Sequence, residues 1–234
     1  MKQAVPSRKT TALKVSFVLF LLLALIIAFL YPVIHRARKA ADLSSATCHI
    51  RSIGTLFVLF DQDYGHFPTT QLPDDPKIRA KFTQRDREDA NYIIGHLIRL
   101  GYTDSEAIFY APYRGKTREP DGKIATDEEL LAPGECGFTY LSFQDRPMTT
   151  KDNGNLPLLV TPLHPCGKAD PKPYDGKAVY LRLDSSVQIQ AINENGEIIL
   201  KNEHTLFQTG AGTAWEGGHQ PKLHHPLYRG DEVP

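Results

Sequence analysis

The feature that most constrains this chain is a long stretch without a charge. From Val15 to Ile34 no acidic or basic side chain occurs, and Val15 to Leu30 is almost purely aliphatic and aromatic. At about 1.5 Å of rise per residue, about 20 helical residues span about 30 Å, the hydrocarbon thickness of a bilayer. Tyr31 falls where an interfacial aromatic belongs. A cleaved secretory signal has an apolar core of only about 7–15 residues, followed by a small-residue cleavage site. Here the core is longer and runs into the basic stretch His35-Arg36-Ala37-Arg38-Lys39. We therefore expect a transmembrane helix over 15–34, preceded by a basic segment, 1–14.

Charge does not orient this helix. Lys2, Arg8, Lys9 and Lys14 precede it, and Arg36, Arg38, Lys39 and Arg51 follow it. The positive-inside rule acts on the difference between the two flanks, which is close to nil. No second apolar run approaches spanning length, so the expectation is a single pass with the functional part downstream. Lys+Arg and Asp+Glu are 27 each, and this balance excludes the basic surplus of a dedicated nucleic-acid binder. The basic cluster at 35–39 fits contact with anionic headgroups, about 1 kcal/mol per charge near such a surface.

Beyond the apolar run, residues 35–66 read as an amphipathic helix continuing from the membrane. Leu43, Ala46, Ile50, Ile53, Phe57 and Phe60 recur at steps of three and four, one helical face. Pro32 interrupts the pattern, and Gly65 followed by Pro68 marks the stop. Residues 67–200 read as an α+β domain. Tyr92, Ile93, His96, Leu97 and Leu100 keep helical spacing up to Gly101. A loop and a short helix are expected in the polar run 69–90. Strand composition recurs at 138–143, 156–160, 178–183 and 187–192. The last of these alternates apolar and polar residues and so predicts one buried face. Asn195-Gly196 suggests a further turn before Glu197-Ile198-Ile199-Leu200. The expected fold class is α+β: a long N-terminal transmembrane helix continuing into a soluble helix, packed on an antiparallel sheet of three or four strands. Residues 201–234 read as an irregular Gly/Pro-rich tail, docked through Phe207 and Trp215.

These residues carry a resemblance. Pro32 with the turn His35-Arg36-Ala37-Arg38-Lys39-Ala40-Ala41, then Cys48, then Ile50-Arg51-Ser52-Ile53-Gly54, then Asp61-Gln62-Asp63-Tyr64-Gly65-His66-Phe67-Pro68 resemble the type II secretion pseudopilins and prepilin-like proteins. The subgroup abundant in planctomycetes and verrucomicrobia is the most similar. Ile108-Phe109-Tyr110-Ala111-Pro112 resembles that family's Phe-Tyr-Cys-Pro segment, with Ala111 where cysteine is usual. Cys136-Gly137-Phe138-Thr139-Tyr140-Leu141 and the hairpin from Lys177 to Val187 resemble its sheet strands. The resemblance covers roughly residues 15–192 and implies a type IV pilin-like fold. It also implies a bacterial inner-membrane location, with the C-terminal domain periplasmic. A processed prepilin has Gly before its cleavage point and Glu at mature position five. Here Ser16 precedes Phe17, and Leu21 stands at the fifth position. Ser16 and Phe17 therefore read as a vestigial processing site, and the chain as permanently anchored.

The chemistry-bearing residues are scattered. There is no nucleophile elbow, no His-Glu-x-x-His and no phosphate-binding Gly-rich loop, so no catalytic residue, enzyme activity or cofactor is expected. His219, His224 and His225 are imidazoles that suit zinc or copper, but they lie in the tail without a regular element to preset them. Asp61 and Asp63 with Gly65 mimic the start of a calcium loop, yet Leu72 stands where its bidentate Glu belongs. With a periplasmic domain, a disulfide between Cys136 and Cys166 is allowed; the alternative is three small buried apolar groups at Cys48, Cys136 and Cys166. Leu19, Leu22, Ile26 and Phe29 lie on one face of the apolar helix, available to partner helices. The expectation is a non-catalytic, pseudopilin-like structural protein, a minor or accessory component of a type II secretion or type IV pilus-like system. Its expected partners are the lipid bilayer and other pseudopilins or secretion-machine inner-membrane proteins, with no nucleic acid. The alternative is a single-pass anchored periplasmic binding module not assembled into any filament.

Overall fold

The computed structural model describes residues 8–74, 87–126, 129–200, 202–216 and 219–231; in the first helix, side chains are described at Phe17 and from Leu19 onward. The short helix expected within 69–90 falls largely outside these residues. Helix α1 is Arg8–Tyr64, with Pro32 inside it. The chain divides into two compact units, Met1–Ala40 and Ala41–Pro234.

In the first unit every described apolar side chain of α1 is exposed, from Phe17 at 64% to Ile34 at 62%. Among the described residues this is the one helix long and apolar enough to cross a membrane. A signal sequence meets the same criterion of length and composition. Leu19, Leu22, Ile26 and Phe29 are all exposed, but so are their neighbours, so exposure alone does not single out a face.

In the second unit the same helix becomes one-sided. Ala46, Ile50, Ile53, Phe57 and Phe60 are fully buried, and Leu43 packs at the margin of the core. The outward residues Arg51, Ser52 and Thr55 are exposed. The helix ends at Gly65, whose φ of 75° supplies the left-handed turn and whose N–H donates to Asp61 O at 2.7 Å. Helix α2, Ala90–Arg99, is capped by Asp89, whose carboxylate accepts from Tyr92 N at 3.0 Å. The Arg87 guanidinium holds that cap by a two-point pairing, both bonds at 2.8 Å.

Five strands follow: β1 (Thr139–Phe143), β2 (Pro157–Thr161), β3 (Lys177–Arg182), β4 (Val187–Ala191) and β5 (Pro221–His224). The sheet is antiparallel throughout, in the order β4-β3-β2-β1-β5. The register places Tyr140, Leu159, Leu181 and Val187 on one face, and Thr139, Val160, Tyr180 and Gln188 on the other. The first face receives α1: Phe57 meets Tyr140 edge-on at 5.5 Å, and a Cβ added to Gly54 would lie 2.9 Å from Leu181 Cδ2. The second face is covered by the chain after β4, with Ile198, Leu206 and Trp215 buried and Trp215 edge-on to Phe143 at 6.1 Å.

Three expectations need correction. The segment 201–234 is not merely a docked irregular tail, because it supplies β5, which pairs with β1 from Tyr140↔His224 to Phe143↔Pro221. The sheet accordingly has five strands. The apolar face of β4 is not well buried: Val187 is half-buried and Ile189 is 46% exposed, since β4 is the last strand of the sheet. Phe57→Ala is expected to lower the unfolding free energy by about 3–5 kcal/mol. Leu59→Ala, on the 43% exposed side of the same helix, should change it by less than about 0.5 kcal/mol. Urea unfolding of the full chain in detergent, followed by near-UV dichroism, reads both.

Candidate functional site

Two buried carboxylates organise the long connection before β1. Glu106 and Glu135 are almost fully enclosed. Glu106 accepts from Leu131 N at 2.7 Å and Gly122 N at 3.1 Å. Glu135 accepts from Ala132 N at 2.9 Å and Asp121 N at 3.3 Å, and pairs with Arg118 at 3.0 Å. With exposed Asp121 they bring carboxylate oxygens within 4.8 Å of one another, a spacing a divalent cation could use. Both buried carboxylates nevertheless already hold backbone donors at each oxygen, so the arrangement works as a pair of staples on residues 119–135. Burial pushes both pKa values up from 4.5, that of Glu135 despite the nearby Arg118.

The structure does not bring the tail histidines together. His219 lies against the Phe143 ring at 4.5 Å and 3.4 Å from Asp145. His225 Nδ1 faces Thr139 Oγ1 at 3.5 Å. His224 is buried, with Nδ1 2.7 Å from Glu88 O. A carbonyl only accepts, so Nδ1 carries the proton, and Nε2 accepts from Ser142 Oγ at 2.9 Å. Burial holds the imidazole pKa below 6.5. A neutral base beside a hydroxyl, oriented by a third group, is the geometry from which nucleophilic serines are built. Acyl transfer also needs donors for a developing oxyanion. The adjacent cation, Lys222, is instead committed to Glu88 at 2.8 Å. The contact therefore ties β5 to β1. Its two partners are 82 positions apart, and no local spacing signals it.

The calcium-like pair is likewise used within the fold. Asp61 is buried, and its Oδ2 accepts from Thr150 N at 3.3 Å. Asp63 accepts a short bond from the Tyr102 hydroxyl. Cys136 and Cys166 are not bridged: Cys136 is enclosed in the core, and Cys166 is exposed in a turn closed by His164 N to Lys168 O at 2.8 Å. Burial pushes the Cys136 thiol up to about 12, so it behaves as a small apolar core group. Cys48 is also free, and exposed. Ser16 lies outside the described side chains, and Phe17 is exposed.

Sequence reasoning missed two further polar features. Tyr113 donates to Asp170 Oδ2 at 2.8 Å beside His164 Nε2 at 3.1 Å, joining the connection before β1 to the turn after β2. His96, on α2, is fully buried, and neither ring nitrogen has a hydrogen-bond partner. It sits edge-on to Tyr92 at 5.0 Å. Burial, and then the Arg99 charge, hold its pKa well below 6.5. On the opposite side of the sheet from α1, Tyr180, Arg182, Gln188 and Gln190 line a cleft of about 430 Å³ with residues of the 200–214 segment.

The chain matches no protein-family model, and comparison with curated proteins and with solved structures returned no match.

Two outcomes are expected. Glu106→Gln places an amide N–H₂ against a backbone N–H and should cost about 1–3 kcal/mol of stability, measured by urea unfolding at pH 7. For His96, the unfolded chain takes up a proton near pH 6.5 while the folded chain resists it, so stability falls as pH drops below that value. The share of one such group is about 1.4 kcal/mol per pH unit. His96→Leu should make the fall between pH 6.5 and 5 shallower by that share; the depressed His224 and His225 keep it from vanishing. An unchanged slope would remove His96 from the explanation.

Proposed function

We propose that this chain is a membrane-anchored, pseudopilin-like structural protein, a minor or accessory component of a type II secretion or type IV pilus-like system in a bacterial inner membrane. In this reading the domain from Ala41 onward lies on the periplasmic side. The observation that carries the proposal is the change of character along one helix. From Leu19 to Ile34 the residues of α1 are uncharged and exposed all round, whereas from Ala46 to Phe60 the helix buries a single face in the domain that holds the antiparallel sheet. A helix apolar on every side fits a lipid environment, and a one-sided helix fits a folded domain. The ordered segments from Pro32 to Val187 quoted above add the resemblance to pseudopilins.

The departures at Ser16 and Leu21 shape the mechanism. Pilin assembly pairs a buried glutamate with a neighbour's N-terminal amine, since an unpaired carboxylate in lipid is expensive. Leu21 has no such need. Association then relies on side-chain packing between helices, through Leu19, Leu22, Ile26 and Phe29.

Replacement of Leu22 and Ile26 together by serine is expected to abolish cross-linking of this helix to pseudopilin helices in native membranes; cross-links at wild-type yield would sink the proposed face. The N-terminus and intact mass of the chain from native membranes test the anchor. Retention of residues 1–14 is expected, and a chain beginning at Phe17 would show that it is processed.

A further inference from the structure

The cleft behind β3 and β4 is independent of any assembly role. One wall is sheet: the register pairs Tyr180 with Gln188 and Ala178 with Gln190, which sets Tyr180, Arg182, Gln188 and Gln190 on the face opposite α1. The rest of the lining includes Asn155, Asn202 and Gly212 to Ala214. Its volume of about 430 Å³ falls within the roughly 300–1,000 Å³ of ligand sites. We propose that this cleft binds an acidic oligosaccharide.

The argument is the chemistry of the lining. Four carboxamides, Asn155, Gln188, Gln190 and Asn202, line the cleft, and its described lining contains no carboxylate. A carboxamide offers two donors and one acceptor in a plane. Neighbouring sugar hydroxyls each donate and accept, so carboxamides match them without leaving either side unpaired. Two of the four are already positioned. Gln188 Nε2 donates to Ser186 Oγ at 3.3 Å, and Asn202 Nδ2 donates to Gly212 O at 3.2 Å. Pre-positioned groups bind at lower entropic cost.

Arg182 supplies the selection for acid. Its Nη2 pairs with Asp184 at 3.2 Å, while its Nε is enclosed without a hydrogen-bond partner. The single carboxylate leaves guanidinium donors unused, and a planar guanidinium fork suits a sugar carboxylate. A peptide ligand fits less well. Peptide grooves rely on a free strand edge or on apolar pockets, and here Leu200 and Ala214 are the aliphatic lining residues.

Calorimetric titration of the full chain in detergent micelles tests the proposal with tetragalacturonate, the neutral chitotetraose and tetra-alanine as probes. Tetragalacturonate is expected to bind most tightly. Arg182→Gln should weaken it about tenfold while leaving chitotetraose unchanged, a charged hydrogen bond's worth of affinity. Gln190→Ala should weaken both sugars. Both variants alter half-buried side chains, and an unchanged melting temperature confirms their fold. The proposal is overturned if neither sugar binds, if chitotetraose or tetra-alanine binds as tightly as tetragalacturonate, or if tetragalacturonate affinity survives both substitutions.

Discussion

The domain depends on one contact surface, the face of α1 that carries Ala46, Ile50, Ile53, Phe57 and Phe60. These side chains lose all contact with water; Phe57 meets the sheet at Tyr140, and Phe60 packs among Tyr64, His66 and Tyr102. Gly54 is what allows the approach. A side chain there would meet Leu181 at contact distances below ordinary packing, so the glycine lets the helix settle close to the middle of the sheet. Tyr140 then joins the two layers, meeting Phe57 with its ring and donating its hydroxyl to Pro68 O at 2.8 Å. The segment leaving α1 is thus fixed by the strand it lies against.

Around that apolar contact the fold distributes polar groups where regular structure is scarce. The connection between α2 and β1 is long and, among the described residues, has only a short 3-10 turn, Ala107–Phe109, as regular structure. Its backbone donors are met by Glu106 and Glu135 instead of by a ladder. The raised pKa values of both are the electrostatic cost of placing carboxylates inside, offset by the amide donors they satisfy. His224 and Ser142 do similar work at the sheet edge.

What was legible in the sequence follows from how local the cause is. Burial of a helix face imposes a spacing of three and four on adjacent residues, so Ala46 to Phe60 could be identified from the sequence. The ends of α1 and α2 could too, because Gly65 and Gly101 adopt positive φ there. Strand β5 could not. Pro221-Lys222-Leu223-His224 has weak strand composition, and a sheet edge tolerates its proline. The alternation in β4 was real, but the sheet stops there, and alternation alone does not reveal what covers a face. The cleft, the Ser142–His224 contact and the fate of the cysteines depend on which distant segments meet. That information resides in topology, outside any local pattern, and for this reason spacing left open a Cys136–Cys166 bridge that the structure does not form.

Strand β5 also imposes an order of events. Its partner β1 lies about 80 positions earlier in the chain, so that edge of the sheet stays open until the residues between them have been made. The apolar part of α1 emerges before every strand and needs a solvent well before the domain can close. A chain built this way separates insertion from folding in time, and the non-local closure by β5 is the slow step. Until then β1 presents an unpaired edge, which makes the nascent domain dependent on whatever shields that edge.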